Sequence, residues 1–442
     1  IIEGFQYNNY NDKFKECNNM KKVFSELAAY AINEQFNAGL RIEVEMKENI
    51  DEECLIQAVQ FIEKRCAYLK VSYVRHTDAI YIEENDLPFV VRKTACPIAL
   101  NCSESNNHVL AFSWYGNIIY VNFFHASFDG EGLMRLTKNL LYQYCAVKYG
   151  TPLPEEGIWH MDDVIRPEEN CDPYLEISKD ISMLGETQIL TPKPETKHFD
   201  FWEDGHMKKD GNIRFKIVMD QKNLMQYCSS YDGSPATAIA LFMARAIHAV
   251  HPENTKPVKV SMAVNLRQFF GFDEANITFV NEASLLFDQR VWNMDFMTQG
   301  TVFRGMLIRQ TQKEYLAGIV KAKVESCEKI SKIPSSDMIH QIISGNVEKQ
   351  FRDNTTNVSY PGRCVWLEIE DHLESIYLTA EARGTGQACE ILAFKDKFYM
   401  TLTQDFTDPV YVNAFLQELS DHHIHYEVKS IGDLETPDVR LW

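Results

Sequence analysis

Basic residues are scarce in this chain: 44 Lys and Arg stand against 63 Asp and Glu, a formal net charge of -19 over 442 residues. That balance argues against nucleic acid or an anionic membrane surface as a partner. No run of about 18 apolar residues occurs, so no transmembrane helix is expected. The opening stretch "IIEGFQYNNYN" lacks the basic-then-apolar pattern of a signal peptide. The 11 cysteines are odd in number, scattered and free of any C-x-x-C pair. They do not form a disulfide framework or a zinc site, and they read as reduced thiols of a cytoplasmic protein. No G-x-S-x-G, Walker loop or H-E-x-x-H is present. Sequons at Asn101, Asn276, Asn354 and Asn357 are read as chance.

What is present describes a globular protein. Hydrophobic residues make up 45% and aromatic residues 12%, enough for a sizeable core. The length favours two units over one. "LRIEVEMK" (40–47) alternates and reads as a strand. Asp51 then caps a helix whose stripe is Leu55, Ala58, Val59 and Ile62. "KVSYVR" and "AIYIEE" are further strands. "HVLAFSW", a turn at Tyr115-Gly116-Asn117, and "IIYVNFF" form a hairpin. A helix follows over 131–148, with Gly150 as its stop. Residues 151 to about 210 differ in texture, carrying Pro152, Pro154, Pro167, Pro173, Pro192 and Pro194. The expected division is a first unit over 1–185, a linker or crossover over 186–210 and a second unit over 211–442.

The second half repeats part of the first. "CEILAFKDKFYMTLTQDFTDPVYVNAFLQEL" runs hairpin, loop ending in Asp, amphipathic helix, as does "HVLAFSWYGNIIYVNFFHASFDGEGLMRLTKNLLYQY". Aligning Tyr120 with Tyr399 sets Gln404 opposite His125 and Asp408 opposite Asp129. Two similar α+β halves are expected, one of them without the histidine.

His125 ends a strand, at the rim of a sheet, where a side chain reaches a cleft while its backbone stays fixed. A neutral imidazole can take a proton from a hydroxyl, amine or thiol and return it. Asp129 is too near in sequence to be assumed a relay partner; it can cap the next helix or pair with a distant Arg. Gly130 suits unusual dihedrals or a close approach. With 13 histidines, H-x-x-x-D-G is expected by chance only about 0.05 times in such a chain.

H-x-x-x-D-G after a strand resembles the chloramphenicol acetyltransferase-like superfamily, which includes condensation domains, plant BAHD acyltransferases and alcohol acetyltransferase-like proteins. "YLKVSYV" is similar to that family's P-x-L-R segment, "VSMAVNLRQFF" (260–270) to its strand ending in N-x-R, and "NVSYPGR" (357–363) to its S-N-x-G-R or S-Y-x-G segment. The departures are specific. Condensation domains carry two adjacent histidines, and here Phe124 replaces the first. The D-F-G-W-G of BAHD enzymes is absent. Chloramphenicol acetyltransferase itself is a shorter, trimeric chain with its histidine near the C-terminus. The best match is the alcohol acetyltransferase and polyketide-associated branch.

The resemblance implies an α+β fold of two similar subdomains, mixed sheets flanked by helices, forming a pseudo-dimer with a tunnel at the interface. It implies His125 as general base, moving an acyl group from acyl-CoA to a hydroxyl or amine acceptor without a covalent enzyme intermediate. Asp129, Gly130 and Arg267 are implied as structural, with Asp129 paired to Arg267. Ser127, Asn265, Asn357, Ser359, Tyr360, Gly362 and Gln404 are implied as tunnel lining. Coenzyme A thioester is a co-substrate, with no permanently bound cofactor and no metal. The alternatives are ester or amide formation from an acyl or peptidyl carrier protein, and an inactive binding protein of the same fold. A monomer is expected, because internal duplication removes the need to oligomerise. "DHHIH" (421–425) is read as a polar helix end, and Cys145 and Cys228 as buried thiols.

Overall fold

Alternation along "GLRIEVEM" makes strand Gly39–Met46, with Leu40, Ile42, Val44 and Met46 all buried on one face. Each such side chain contributes roughly 1.5–3 kcal/mol by leaving water. They pack with Leu55, Val59 and Ile62 of α1 (Glu52–Arg65) and Leu133, Leu136 and Leu140 of α2 (Gly130–Tyr149). Asp51 caps α1, accepting from the Cys54 N–H at 3.0 Å, and Gly150 ends α2 in the left-handed region. The computed structural model describes residues 20–33, 36–188, 197–231, 233–382 and 385–441.

The described strands in chain order are β1 (Met20–Lys22), β2 (Gly39–Met46), β3 (Val71–Arg75), β4 (Ile80–Glu84), β5 (Val91–Lys93), β6 (Leu110–Tyr115) and β7 (Ile118–Phe124). There follow β8 (Ile213–Asp220), β9 (Val258–Asn265), β10 (Val280–Phe287), β11 (Thr356–Cys364), β12 (Leu373–Thr379), β13 (Gln387–Phe394), β14 (Lys397–Gln404) and β15 (Tyr426–Asp433). They form a small sheet β1-β4-β3, a five-stranded sheet β12-β2-β7-β6-β5 and a seven-stranded sheet β10-β9-β11-β13-β14-β8-β15. Both larger sheets are mixed: β5 runs parallel to β6, and β11 parallel to β9 and β13.

Each half buries one face of its sheet under helices. In the second half, Phe398, Met400 and Leu402 of β14 pack with the helix Pro235–Val250, capped by Ser234. The repeated hairpin is present twice, as β6-β7 followed by α2 and as β13-β14 followed by the helix Val410–Asp421. The linker reading over 186–210 includes residues 189–196, which lie outside the described residues. The sheets interlock across the halves. β12, which falls within 211–442, pairs antiparallel with β2 in the first sheet. Leu100 also forms a bridge with Val439.

The second faces of the two large sheets look toward each other. Glu43 of β2 accepts from Lys216 of β8 at 2.7 Å and from Arg214 at 2.5 Å. Tyr377 of β12 stacks edge-on against Tyr399 of β14. A seam therefore runs between the halves, and β7 ends on it one residue before His125.

Candidate functional site

The His125 backbone is pinned on both sides. Its N–H donates to Ala38 O at 2.9 Å, and its carbonyl accepts from Thr278 Oγ1 at 3.3 Å. The half-buried imidazole meets the Phe128 carbonyl through Nδ1 at 2.8 Å. A carbonyl only accepts, so Nδ1 carries the proton in this contact. In the neutral ring the lone pair then sits on Nε2.

Asp129 turns away from that ring. Its carboxylate, 1% exposed, receives both guanidinium nitrogens of Arg267, Nη1 at 2.7 Å and Nη2 at 2.9 Å. It also accepts the Gly132 N–H at 3.1 Å, as N-cap of α2, and the Phe279 N–H at 2.8 Å. Arg267 spends its remaining donors on the carbonyls of Ala275 at 2.8 Å and Ile277 at 2.7 Å and on Asn265 Oδ1 at 3.3 Å. All four carboxylate contacts are charge-assisted hydrogen bonds. They tie the start of α2 to the turn that follows β9 and to the segment leading into β10, which pairs Ile277 with Phe128.

Gly130 and Gly132 permit that approach. A Cβ on Gly130 would lie 2.7 Å from Pro361 Cγ, and one on Gly132 would lie 2.1 Å from Asn276 O. Close packing, not a left-handed backbone, explains Gly130. Gly362 is the opposite case: its φ of +124° sits at the bulge of β11, a conformation that favours glycine.

The remaining tunnel candidates separate into groups. Asn357 and Ser359 sit on alternate positions of β11 to Val358, which packs into the second core, so they lie on the seam face. Asn265 accepts from the Arg267 N–H at 3.1 Å and serves the same brace as Asp129. Tyr360 packs against the second core beside Phe398. Gln404 is buried, and its Nε2 donates to the carbonyls of Phe406 at 2.6 Å and Asp408 at 2.9 Å. It thus braces its own loop, much as His125 Nδ1 braces the first.

Several polar groups had no signal in the sequence. Thr379, Arg41 and Asn122 lie in register across β12, β2 and β7 and form one row on the seam face. All three are buried, and Thr379 Oγ1, Arg41 Nε and Asn122 Oδ1 have no hydrogen-bond partner among the described residues. Asn357 Oδ1 and Thr401 Oγ1 on the facing sheet are likewise unpartnered. An unmet buried polar atom costs about 1–3 kcal/mol, so such a group fits a seam that takes polar guests. Only alternation in "LRIEVEM" hinted that Arg41 points away from the core.

A cavity of about 690 Å³ opens beside the His125 loop. Ser127 and Phe128 of that loop form part of its wall, with Glu26, Tyr73, Leu69 and Ile277. The volume is in the range of small-molecule sites. Tyr73 OH lies 2.8 Å from Ser127 Oγ and donates to Glu26 Oε1 at 3.1 Å. Burial, then the charge of Asp172, pushes the Glu26 carboxyl up to about 8.

Other groups are occupied structurally. Burial pushes the Cys145 and Cys228 thiols up to about 12, so neither is a thiolate nucleophile near neutrality. His422 of the "DHHIH" stretch stacks on Phe296 with centroids 3.5 Å apart. The ten described cysteines are free thiols, and among the described residues no three His, Cys, Asp or Glu are grouped to hold a metal ion. No described helix is long and apolar enough to cross a membrane.

No protein-family model matches the chain, and no curated protein matches it by sequence. Solved structures do. Polyketide synthase associated protein 5 from Mycobacterium tuberculosis superposes with a TM-score of 0.61 at 10% identity, over 90% of this chain and 96% of that one. F. graminearum TRI101, complexed with coenzyme A and T-2 mycotoxin, has a TM-score of 0.59 at 12% identity, over 92% and 99% of the two chains. The condensation domain of the Monacolin K polyketide synthase MokA has 0.56 at 11% identity, over 91% and 95%. The fold expected from the H-x-x-x-D-G resemblance, mixed α+β with two subdomains, is the fold found.

Proposed function

We propose that this chain is an acyltransferase, moving an acyl group from a coenzyme A thioester to a hydroxyl or amine, with His125 as general base. The observation that carries the reading is the Nδ1 contact to Phe128 O, which leaves Nε2 to accept a proton. The acceptor's proton passes to Nε2 as its oxygen or nitrogen attacks the thioester carbonyl. The carbon–sulfur bond then breaks, and the leaving thiolate takes the proton back from the imidazolium. The thioester is already activated, so no enzyme nucleophile is required; holding both substrates in place supplies much of the acceleration. Asp129, Gly130 and Arg267 act as the brace that holds this loop against the second half. Asn357 and Ser359 line the seam.

The coenzyme A complex of TRI101, on the same fold, supports a free thioester donor. A carrier-bound donor is the second reading, favoured by the likeness to a polyketide synthase condensation domain. Comparing one acyl group presented on coenzyme A and on a phosphopantetheinylated carrier separates them. Faster turnover from the free thioester is expected, and turnover from the carrier alone would overturn the coenzyme A assignment.

A further inference from the structure

Glu26 stands in the wall of the 690 Å³ cavity at 6% exposure, and among the described residues no cation pairs with it closely. Two other buried carboxylates of this half show what a resident partner looks like. Asp129 holds Arg267 with two bonds, and Glu169 holds Arg65 at 2.9 and 3.0 Å. Among the described residues Glu26 has only the Tyr73 hydroxyl as a hydrogen-bond partner. Asp172, 2% exposed, adds to the negative character of this region, and its charge reaches Glu26. It spends Oδ1 on the N–H groups of Tyr174 at 3.0 Å and Leu175 at 3.3 Å, and Oδ2 has no hydrogen-bond partner among the described residues. Among the described residues, Lys21 of β1 is the cation whose charge is felt at Glu26, and it is exposed. At the rim, Lys64 and Lys70 stand among Glu63, Glu84 and Asp86.

The chemistry of the wall narrows the guest. Glu26, the buried carboxyl of the wall, and the charge of Asp172 behind it favour a cation. A metal ion is a poor match, since the groups beside Glu26 are the hydroxyls of Tyr73 and Ser127 and not a ligand set. Leu69, Val71, Ile82 and Val109 give the cavity an apolar flank. Ser127 Oγ can donate to Tyr73 and still accept from a guest N–H.

We propose that this cavity binds an organic ammonium ion with an apolar body, its nitrogen anchored by Glu26 and Ser127. Resting on the acyl-transfer reading, that guest is the acceptor, a diamine or amino alcohol. The anchored nitrogen is protonated and has no lone pair to attack a thioester, so a second hydroxyl or amine of the same molecule is acylated. Pairing with the ammonium draws Glu26 into its charged form. Near pH 6.5, where the empty site holds Glu26 protonated, binding expels about one proton.

The test is titration calorimetry without any thioester present. The probes are phenethylamine, tryptamine and 1,5-diaminopentane, each beside its alcohol counterpart. At least one ammonium is expected to bind wild-type protein ten-fold or more tighter than its alcohol. Titrations in buffers of different ionisation heat should count about one proton released at pH 6.5 and close to none at pH 9. Glu26→Gln, isosteric with the neutral acid, should abolish the preference and the proton release. Asp172→Asn, which keeps the helix cap, should reduce the proton release at pH 6.5. No preference for any ammonium, or a preference that survives Glu26→Gln, overturns the inference. Because no acyl donor is used, ammonium binding without thioester turnover would leave this inference standing and remove the acyl-transfer reading, and turnover without ammonium preference would do the reverse.

Discussion

Replacing Arg267 by Met removes the partner of a carboxylate that cannot reach water. Asp129 is 1% exposed and would keep only the N–H groups of Gly132 and Phe279. Removing one member of a buried ion pair costs about 3–5 kcal/mol, because the other charge stays buried. The carbonyls of Ala275 and Ile277 also lose their donor, at about 1–3 kcal/mol for each that stays dry. A loss of at least about 3 kcal/mol is therefore expected, read as a fall in the urea midpoint of roughly 1 M or more at a slope of about 1–3 kcal/mol/M. Arg267→Lys should recover little, since a single ammonium cannot reproduce two parallel bonds. Asp129→Asn keeps an oxygen for the Gly132 N–H but strands the guanidinium. Its combination with Arg267→Met should cost clearly less than the sum of the two, by about 2 kcal/mol or more. Single losses under about 1 kcal/mol, or a strictly additive double variant, would refute the role of this pair as the brace of the loop.

Gly130→Ala should destabilise by about 1–3 kcal/mol through overpacking on Pro361, and Pro361→Ala should relieve part of that loss, both read by thermal unfolding. Glu26 sets a pH-dependent stability. Its folded value of about 8 lies above the unfolded value of 4.5, so its contribution is most favourable below the lower value and is lost as pH rises through the higher one. Relative to wild type, Glu26→Gln should therefore gain stability between pH 5 and pH 9, by about 3–5 kcal/mol; an unchanged difference across that range would contradict the assignment. Thr379→Val should leave stability unchanged or improve it, because it removes an unmet hydroxyl, and a loss above about 1 kcal/mol would show that Oγ1 has a partner in solution.

Local order was legible where a residue's neighbours in sequence are its neighbours in space. The Asp51 and Ser234 caps, the Gly150 stop and the hairpin after Val109 follow from spacing and turn chemistry. The repeat carries further than its weak similarity suggests. Asp129 caps the helix after its loop, buried against Arg267, while the exposed Asp408 sits one position before the cap and accepts the first helical N–H, that of Val410, at 3.0 Å. His125 and Gln404 both donate to carbonyls of their own loop, so the amide keeps the bracing role without a basic nitrogen. What stayed hidden depends on long-range pairing. Nothing in "LESIYLT" says that β12 joins the first sheet, although that pairing aligns Thr379 with Arg41 and Asn122. Glu26 and Asp172 are ordinary acids in sequence, separated by 146 residues (172 − 26), and become unusual only through shared burial. Gly130 was readable as special, but its clash partner, Pro361, lies in the other half.

The most direct measurement is the initial rate of acceptor-dependent thiol release from acetyl-CoA and longer acyl-CoAs, compared between the wild-type protein and His125→Ala across a broad panel of alcohols and amines. Loss of a positioned general base lowers such a rate by roughly 10²–10⁴-fold. The expected result is release by the wild type with at least one acceptor and a fall of that size in the variant. Equal rates in the two proteins across the whole panel would contradict the assignment of His125 as the base.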